Sequence, residues 1–262
     1  MLLPNKPQSL RNVIESSFRL YFSGLTKVLP LTFVFGALAY FMQPNGKPAV
    51  TDSMDGLMLL LFLVALYFLS TLHVAILLMM KGSLLGQTVT AIEAIKRGFK
   101  RAIGVCIVGF VVEVIALIPA MIFYVIAVKL FPTQLLIAMI ISGLIALYVL
   151  VYLYLAPFIY VIYDKKILES IKESYYLVKN HWWRACLLMS VLSLVALIVS
   201  GVVLAIFSPL LGWLYKDFFV LAMLLLFLLL AVLLPYWYST ILVLIWELKV
   251  RDGSNTGLVK KK

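Results

Sequence analysis

Long runs of apolar residues, separated by short polar segments, dominate the pattern of the chain. A helix that crosses a hydrocarbon core of ~30 Å needs about 20 apolar residues at ~1.5 Å per residue. Because lipid offers no water to the backbone, runs of this length predict transmembrane helices. Five runs meet the requirement: Leu57–Met80, Ala102–Leu130, Leu135–Tyr163, Ala185–Leu211 and Phe218–Trp246.

A sixth and shorter apolar run covers Val28–Met42. It spans a membrane only if it includes the preceding amphipathic turn, Phe18–Phe22, or lies where the bilayer is thin. Ala37, Leu38 and Ala39 also resemble the small-residue cleavage site of a signal peptide. However, the polar region before this run is long for a signal, and its pattern recurs later in the chain. The sequence therefore predicts an all-α, polytopic six-span helical membrane bundle, a single transmembrane domain over residues 1–262.

The basic residues alternate from one predicted loop to the next. Of the 22 Lys and Arg residues, 19 lie in the two tails and the second and fourth loops, and three lie in the other loops. Since cytoplasmic flanks of membrane helices carry the excess of Lys and Arg, this predicts that both termini are cytoplasmic. A missed or false span would disrupt the alternation of Lys and Arg between loops. The regular alternation therefore also supports a total of six spans.

Composition agrees with a membrane protein. Hydrophobic residues make up 65% of the chain and charged residues 13%, against about half and a quarter in soluble proteins. The net charge of +11 follows from the positive-inside bias and predicts attraction of anionic lipids to the cytoplasmic face, without any need for nucleic acid. Besides the lipid bilayer, a membrane protein partner or a second copy of the chain is a possible partner. Cys106 and Cys186 are expected to be free thiols, because they form no CxxC motif.

Three polar segments of the chain resemble one another. They read NVIESSFRLYF from Asn12, TAIEAIKRGFK from Thr90 and SIKESYYLVKN from Ser170. Each places a small polar residue three positions before a glutamate, which is the spacing of a helix capping box. In the third segment the helix can equally begin within residues 164–169, which leaves Ser170 inside it. The three glutamates are Glu15, Glu93 and Glu173.

Apolar residues at helical spacing predict an amphipathic helix in the membrane interface for each of these segments. Trp182 and Trp183 lie at a depth that suits interfacial indole rings. Because two spans follow each segment, we predict three repeats of one interfacial helix plus two transmembrane helices, followed by a flexible basic tail. The predicted repeats cover residues 9–80, 88–163 and 166–248, and the tail covers 249–262.

Two prolines support the same repeat. Pro157 and Pro235 are 78 residues apart in similar aromatic settings, APFIYVIY and LPYWYSTI, and both predict helix breaks. The alternative is that caps and positive flanks make all cytoplasmic helix starts look alike.

The stretch DKKILESIKESYYLVKNHWWRA, which begins at Asp164 after the span end APFIYVIY, resembles a known pattern. It is similar to the YciC-like family of uncharacterised bacterial inner-membrane proteins. There is looser similarity to the membrane domain that accompanies some glycerophosphodiester phosphodiesterases, but the catalytic phosphodiesterase domain is absent from this sequence. The resemblance implies six spans and a location in the bacterial inner membrane. It implies no activity and no site residues.

Signatures of common enzymes are absent from the sequence, including HExxH, GxSxG, a glycine-rich phosphate loop and metal-spaced Cys or His. We therefore expect no catalytic residue, cofactor or metal ion.

Glu113 is the outstanding single residue, because it lies eleven positions beyond the start of its span and near the middle of the bilayer. Such residues usually face the bundle interior or an aqueous cavity and often mark an ion or proton path. His73, the one intramembrane histidine, is its candidate partner. The alternatives are structural: a hydrogen bond from Glu113 to a neighbouring Ser or Tyr, and an interhelical hydrogen bond at His73.

Two functions fit these features. The first is a non-catalytic membrane-organising protein that interacts with lipid or a partner through its interfacial helices and basic face. The second is a small-solute or lipid transporter in which Glu113 lines the path. Polar groups are scarce at mid-membrane depth, and a carrier normally needs more of them, which favours the first.

Overall fold

The computed structural model describes residues 7–41, 56–130, 133–213 and 219–253. These residues form helices and short connections, and six of the helical spans are long and apolar enough to cross a membrane. The prediction of an all-α, six-span bundle is confirmed. The helices are α1 (Leu10–Phe41), α2 (Gly56–Leu85), α3 (Ala91–Leu130), α4 (Leu135–Leu153), α5 (Ala156–Tyr163), α6 (Ile167–Lys179), α7 (Trp182–Trp213) and α8 (Phe219–Arg251).

The first two amphipathic segments are not separate helices. Each continues directly into the following span, so that α1 has 32 residues and α3 has 40. The shortest apolar run thereby gains the length that it needs. Only in the third segment does a break separate the amphipathic helix α6 from its span α7. The break lies at Asn180 and His181, where the backbone N–H of His181 donates to the carbonyl of Val178 at 2.8 Å.

The two prolines that predict helix breaks behave differently. Pro157 lies in the first turn of α5, just after the break that separates α5 from α4, where its missing N–H costs no hydrogen bond. The prediction for Pro235 is wrong, because α8 continues through this residue from Phe219 to Arg251. Packing accounts for the difference, since the helix from Ala231 onward is surrounded by other helices that hold it in place.

The second half of α8 forms the centre of the bundle. In the most apolar 18 residues of the segment Ala231–Arg251, 78% of the residues are buried, against 12–39% in the corresponding parts of the other spans. Helices α1, α2, α6 and α7 pack around it. Its fully buried side chains include Trp246, Tyr238, Ile241 and Leu242. Helices α3 and α5 pack against α2, and α4 packs against α3, α6 and α7.

Helices α2 and α3 approach closely at Gly98. A Cβ atom on this residue would lie 2.5 Å from the carbonyl oxygen of Thr71, so only glycine fits. The turn between the two helices is also determined by glycine. Gly86 has φ +70°, and the N–H groups of Gly86 and Gln87 donate to the carbonyls of Ser83 and Gly82, which is a Schellman motif at the end of α2.

Charged side chains gather at one end of the bundle, which we call the basic face. It comprises Gln8 and residues 81–101, 162–184 and 247–251. These segments contact one another through ion pairs and hydrogen bonds, among them the bond that the Lys81 ammonium donates to the carbonyl of Ile162 at 2.6 Å. The C-terminal tail begins later than predicted, because Lys249 and Arg251 belong to α8. Residues 254–262 of the predicted tail lie outside the described residues.

Candidate functional site

Glu113 does not face the interior of the bundle. The buried stripe of α3 consists of small and β-branched residues that end with Val112, Ala116 and Ala120, and Glu113 lies next to this stripe on the exposed surface. Among the described residues, no hydrogen-bond or ion-pair partner of its carboxyl group is found. Neighbouring positions on a helix differ by a rotation of about 100°. Glu113 is therefore exposed although the preceding residue, Val112, is buried.

His73 has a structural environment. Its Nδ1 atom lies 2.7 Å from the hydroxyl of Tyr238, and its ring packs against Phe158 at a centroid distance of 5.6 Å. The residue thus connects α2 with α5 and α8, in agreement with an interhelical hydrogen bond. Its Nε2 atom is buried and has no partner within the described part of the chain. The structure does not bring His73 and Glu113 into contact.

The first two glutamates of the repeated segments make equivalent contacts. Glu15 pairs with Arg19 and Glu93 pairs with Arg97, each at 2.6 Å and each on an exposed helix surface. Such i, i+4 pairs contribute little stability, typically ~0.3–0.5 kcal/mol. They belong to the local helix and, among the described residues, form no ion pair with another element.

Only one of the three predicted capping boxes has its N-cap where the sequence placed it. The N–H of Glu93 donates to Oγ1 of Thr90 at 3.3 Å, but the carboxylate of Glu93 pairs with Arg97. Helix α1 begins earlier than predicted, and the side chain of Ser9 accepts from the N–H of Asn12. Helix α6 also begins earlier, so Ser170 lies inside it. The threefold repeat itself stays a prediction.

The third glutamate, Glu173, is part of a half-buried charge cluster. Its carboxylate pairs with Lys165 at 2.5 Å and with Lys249 at 2.7 Å, and the Lys249 ammonium lies 3.4 Å from the centre of the Tyr163 ring. Burial by itself raises the pKa of Glu173, but the hydrogen bonds and charges of Lys165 and Lys249 outweigh it and hold the pKa below its usual value. This cluster joins α6 to the central helix α8.

A second charge cluster surrounds Glu247, which is only 2% exposed. Nε of Arg184 donates to its carboxylate at 3.0 Å, and Arg251 pairs with the same group. Both guanidinium groups also donate to the backbone carbonyl of Gln8, at 2.5 and 2.8 Å. The cluster therefore ties the segment before α1 to the beginning of α7 and the end of α8.

Sequence reasoning missed the Glu247 cluster. The i, i+4 spacing of Glu247 and Arg251 was a visible signal, but it is typical of any exposed helix end. Nothing in the pattern indicates that Arg184, 63 positions earlier, contacts this carboxylate. Only the packing of α7 on α8 brings the two together.

The two interfacial tryptophans have different surroundings. Nε1 of Trp182 donates to the carbonyl of Tyr148 at 3.3 Å, and the two rings are 5.1 Å apart, which fixes the start of α7 against α4. Trp183 is 80% exposed. Its indole ring is thus available to lipid headgroups or to another protein.

An open cleft of about 660 Å³ lies on the basic face between α3 and the start of α6. Arg101, Lys165 and Lys166 supply its positive charge. The guanidinium of Arg101 pairs with Asp164 and lies 5.1 Å from the centre of the Tyr160 ring. Asp164 adopts a left-handed backbone conformation, φ 57°, at the end of α5, a conformation that aspartate tolerates better than most residues. The remaining lining residues are Ile167, Leu168 and Glu169.

The lining of the cleft combines three cations with the carboxylates of Asp164 and Glu169, a net charge of +1, which suits a single anionic group next to an apolar chain. The first N–H groups of α6 have no intrahelical acceptors and give the helix start a partial positive charge. The arginine presents several N–H donors in a planar array that matches phosphate oxygens. Leu168 is exposed beside these donors and provides an apolar wall.

The described residues contain no candidate metal centre, and no related protein was found. Among the residues that the structure describes, no group of three or more His, Cys, Asp or Glu side chains is placed to hold a metal ion. Comparisons with protein-family models, with curated proteins and with solved structures give no match.

Proposed function

We propose that the protein is a non-catalytic membrane protein that organises its surroundings by binding anionic lipid headgroups at its basic face. The observation that carries the proposal is the cleft formed by Arg101, Lys165 and Lys166 beside exposed apolar residues of α6. A phospholipid presents the same combination of a phosphate and an acyl chain. Lys and Arg residues near a membrane surface each favour anionic lipid by about 1 kcal/mol.

The proposal includes an orientation. The 19 Lys and Arg residues of alternate segments support a cytoplasmic basic face, with both termini on the same side. The resemblance of residues 164–185 to the YciC-like family supports a location in the bacterial inner membrane. Anionic phospholipids are common in such membranes, so a ligand of this class is available at that face.

Exposed aromatic and aliphatic residues near the basic face support the proposal. Trp183, Leu168 and Ile92 are all highly exposed on the helices that carry the basic side chains. In water such residues would favour association, whereas in the interfacial region they contact the headgroup and acyl boundary. They would hold the cleft at the depth of the lipid phosphates.

The experiment that tests the proposal measures lipid retention in nanodiscs. The protein is reconstituted in phosphatidylcholine with increasing phosphatidylglycerol, and native mass spectrometry counts the lipids that stay bound. The double variant Arg101→Gln with Lys166→Gln should bind phosphatidylglycerol about 10- to 30-fold more weakly, from ~1 kcal/mol per cation.

A matched control separates a specific site from general electrostatics. Lys96 and Lys100 are exposed on α3 outside the cleft lining, so Lys96→Gln with Lys100→Gln removes the same charge. We expect this control to retain nearly the wild-type affinity. Equal loss in both double variants, or no preference for phosphatidylglycerol in the wild type, would refute a binding site in the cleft.

The transporter alternative is not favoured by the geometry. Glu113 lies on the exposed surface of α3, and His73 is hydrogen-bonded to Tyr238. A proton-coupled transporter that used Glu113 would lose its activity in Glu113→Gln while its expression stayed near normal. This substitution also distinguishes transport from the role that we assign to Glu113 below.

A further inference from the structure

Glu113 is an acidic side chain on a surface that is otherwise apolar. Its neighbours on the exposed side of α3, one turn away in either direction, are Gly109, Phe110 and Leu117. The nearest charged residues along the helix are Arg101 and Lys129, which lie 12 and 16 positions away, or about 18 and 24 Å at the helical rise. A glutamate side chain is too short to reach water over such distances.

A carboxyl group at this depth needs a polar partner. A polar group that faces hydrocarbon without a hydrogen bond costs several kcal/mol, and an ionised one costs more. Within the described part of the chain, no such partner of Glu113 is found. A second molecule at the same depth in the membrane would supply such a partner.

We infer that the partner is Glu113 of a second copy, and that the exposed side of α3 around this residue is a homodimer interface. Copies of a membrane protein share one orientation, so equivalent residues lie at equal depth. A twofold axis along the membrane normal then brings a residue near the axis into contact with its own equivalent. Two carboxyl groups that share a proton satisfy each other by hydrogen bonding and require no second polar residue.

The surface around Glu113 permits close approach of two helices. A Cβ atom added at Gly109, one turn before Glu113, would meet nothing within 4 Å, so this part of the helix surface is unobstructed. Small residues at such positions let transmembrane helices pack closely and shorten interhelical hydrogen bonds. Phe110 and Leu117 are exposed on either side and would pack across the axis.

Three proteins test the inference: the wild type, Glu113→Gln and Glu113→Leu. Glutamine keeps the ability to hydrogen-bond its own copy, whereas leucine matches the surrounding surface and removes it. The mass of each protein is measured by sedimentation in density-matched detergent over a range of protein-to-detergent ratios. We expect dimers for the wild type and for Glu113→Gln, and a dissociation constant at least tenfold higher for Glu113→Leu.

Cross-linking locates the interface independently of these substitutions. In a chain with Cys106 and Cys186 replaced by alanine, Phe110→Cys should form a disulfide-linked dimer under mild oxidation in native membranes. The matched control is Leu144→Cys, which is equally exposed on the apolar surface of α4. We expect little cross-linking from it.

Several results would overturn the inference. A wild-type protein that is monomeric at all ratios, or a Glu113→Leu variant that dimerises as the wild type does, contradicts a carboxyl-mediated dimer. Equal cross-linking from Phe110→Cys and Leu144→Cys contradicts the assigned surface. Copurification of a different protein that is lost in Glu113→Leu shows a heterologous partner instead. None of these results bears on the lipid cleft, which is formed by different residues.

Discussion

At the scale of single residues, two glutamates in apolar helices have opposite environments. Glu247 is buried at the basic face and holds Arg184 and Arg251, whereas Glu113 is exposed at mid-membrane depth. A buried carboxylate is tolerated because it is paired and hydrogen-bonded. We therefore assign Glu247 to stability and Glu113 to association.

The substitution Glu247→Gln should destabilise the folded protein by about 2 kcal/mol. It leaves the guanidinium groups of Arg184 and Arg251 close together without a counter-charge. Breaking a buried ion pair typically costs ~3–5 kcal/mol. We expect a smaller cost here because both arginines are partly exposed. Unfolding by SDS in mixed micelles measures the change. The control Glu93→Gln breaks only an exposed pair and should cost ~0.5 kcal/mol or less. Similar losses in the two variants would contradict this role of Glu247.

Stability should also depend on pH through Glu173. The pKa of this carboxyl group is lower in the folded protein than its usual value, because Lys165 and Lys249 outweigh the effect of burial. The contribution of Glu173 to stability is therefore complete above the pKa of a glutamate in the unfolded chain, ~4.3. It is lost as the pH falls through the lower pKa that Glu173 has in the folded protein. We expect thermal stability to decrease below about pH 4. This decrease should be smaller in Glu173→Gln, and an unchanged pH profile in that variant would exclude Glu173 as its source.

At the scale of helices, the sequence predicted the spans well because the thickness of the bilayer determines their length. It could not predict that α1 and α3 continue through their amphipathic parts whereas α6 is a separate helix. No glycine or proline pattern distinguishes a continuous helix from a broken one in these segments. It could not identify α8 as the central helix, because the apolar content of a span does not show how many neighbouring helices cover it. Pro235 was expected to break α8, but the packing around the second half of that helix overrides local propensity.

The contact between α2 and α3 provides a test at this scale. Gly98→Ala places a methyl group 2.5 Å from the carbonyl oxygen of Thr71, so the helices have to separate and stability should fall by about 1–3 kcal/mol. Gly143→Ala is the matched control, because a Cβ atom there meets nothing within 4 Å. The control should be neutral or slightly stabilising, as alanine favours helix over glycine. SDS unfolding of both variants measures the difference, and equal stability would contradict the close approach.

At the scale of the whole molecule, the sequence identified the candidate site only in part. Charge and depth alone singled out Glu113 and His73, but which way each side chain points depends on helix register and packing. The charge clusters of Glu247 and Glu173 connect segments that are distant in the chain, so no local pattern reveals them. The basic face as a surface was predictable, because it follows from the alternation of Lys and Arg.

The proposed orientation makes a direct prediction about accessibility. In a chain without its native cysteines, Gln134→Cys in the connection between α3 and α4 should react with an impermeant thiol reagent from outside the cell. Gln87→Cys in the turn between α2 and α3 should react only after the membrane is permeabilised. Both positions are exposed, so a lack of reaction reports sidedness. The reverse pattern would overturn the cytoplasmic placement of the basic face.

The central claim is that the basic face binds anionic lipid, and lipid identification from the native membrane tests it most directly. The wild type and the Arg101→Gln, Lys166→Gln double variant are extracted into nanodiscs from the same native membranes, washed, and analysed by mass spectrometry. We predict that anionic phospholipid is enriched over its bulk fraction in the wild type and returns to that fraction in the variant. Lipids at bulk composition in both proteins, or a retained small solute instead of lipid, would contradict the claim.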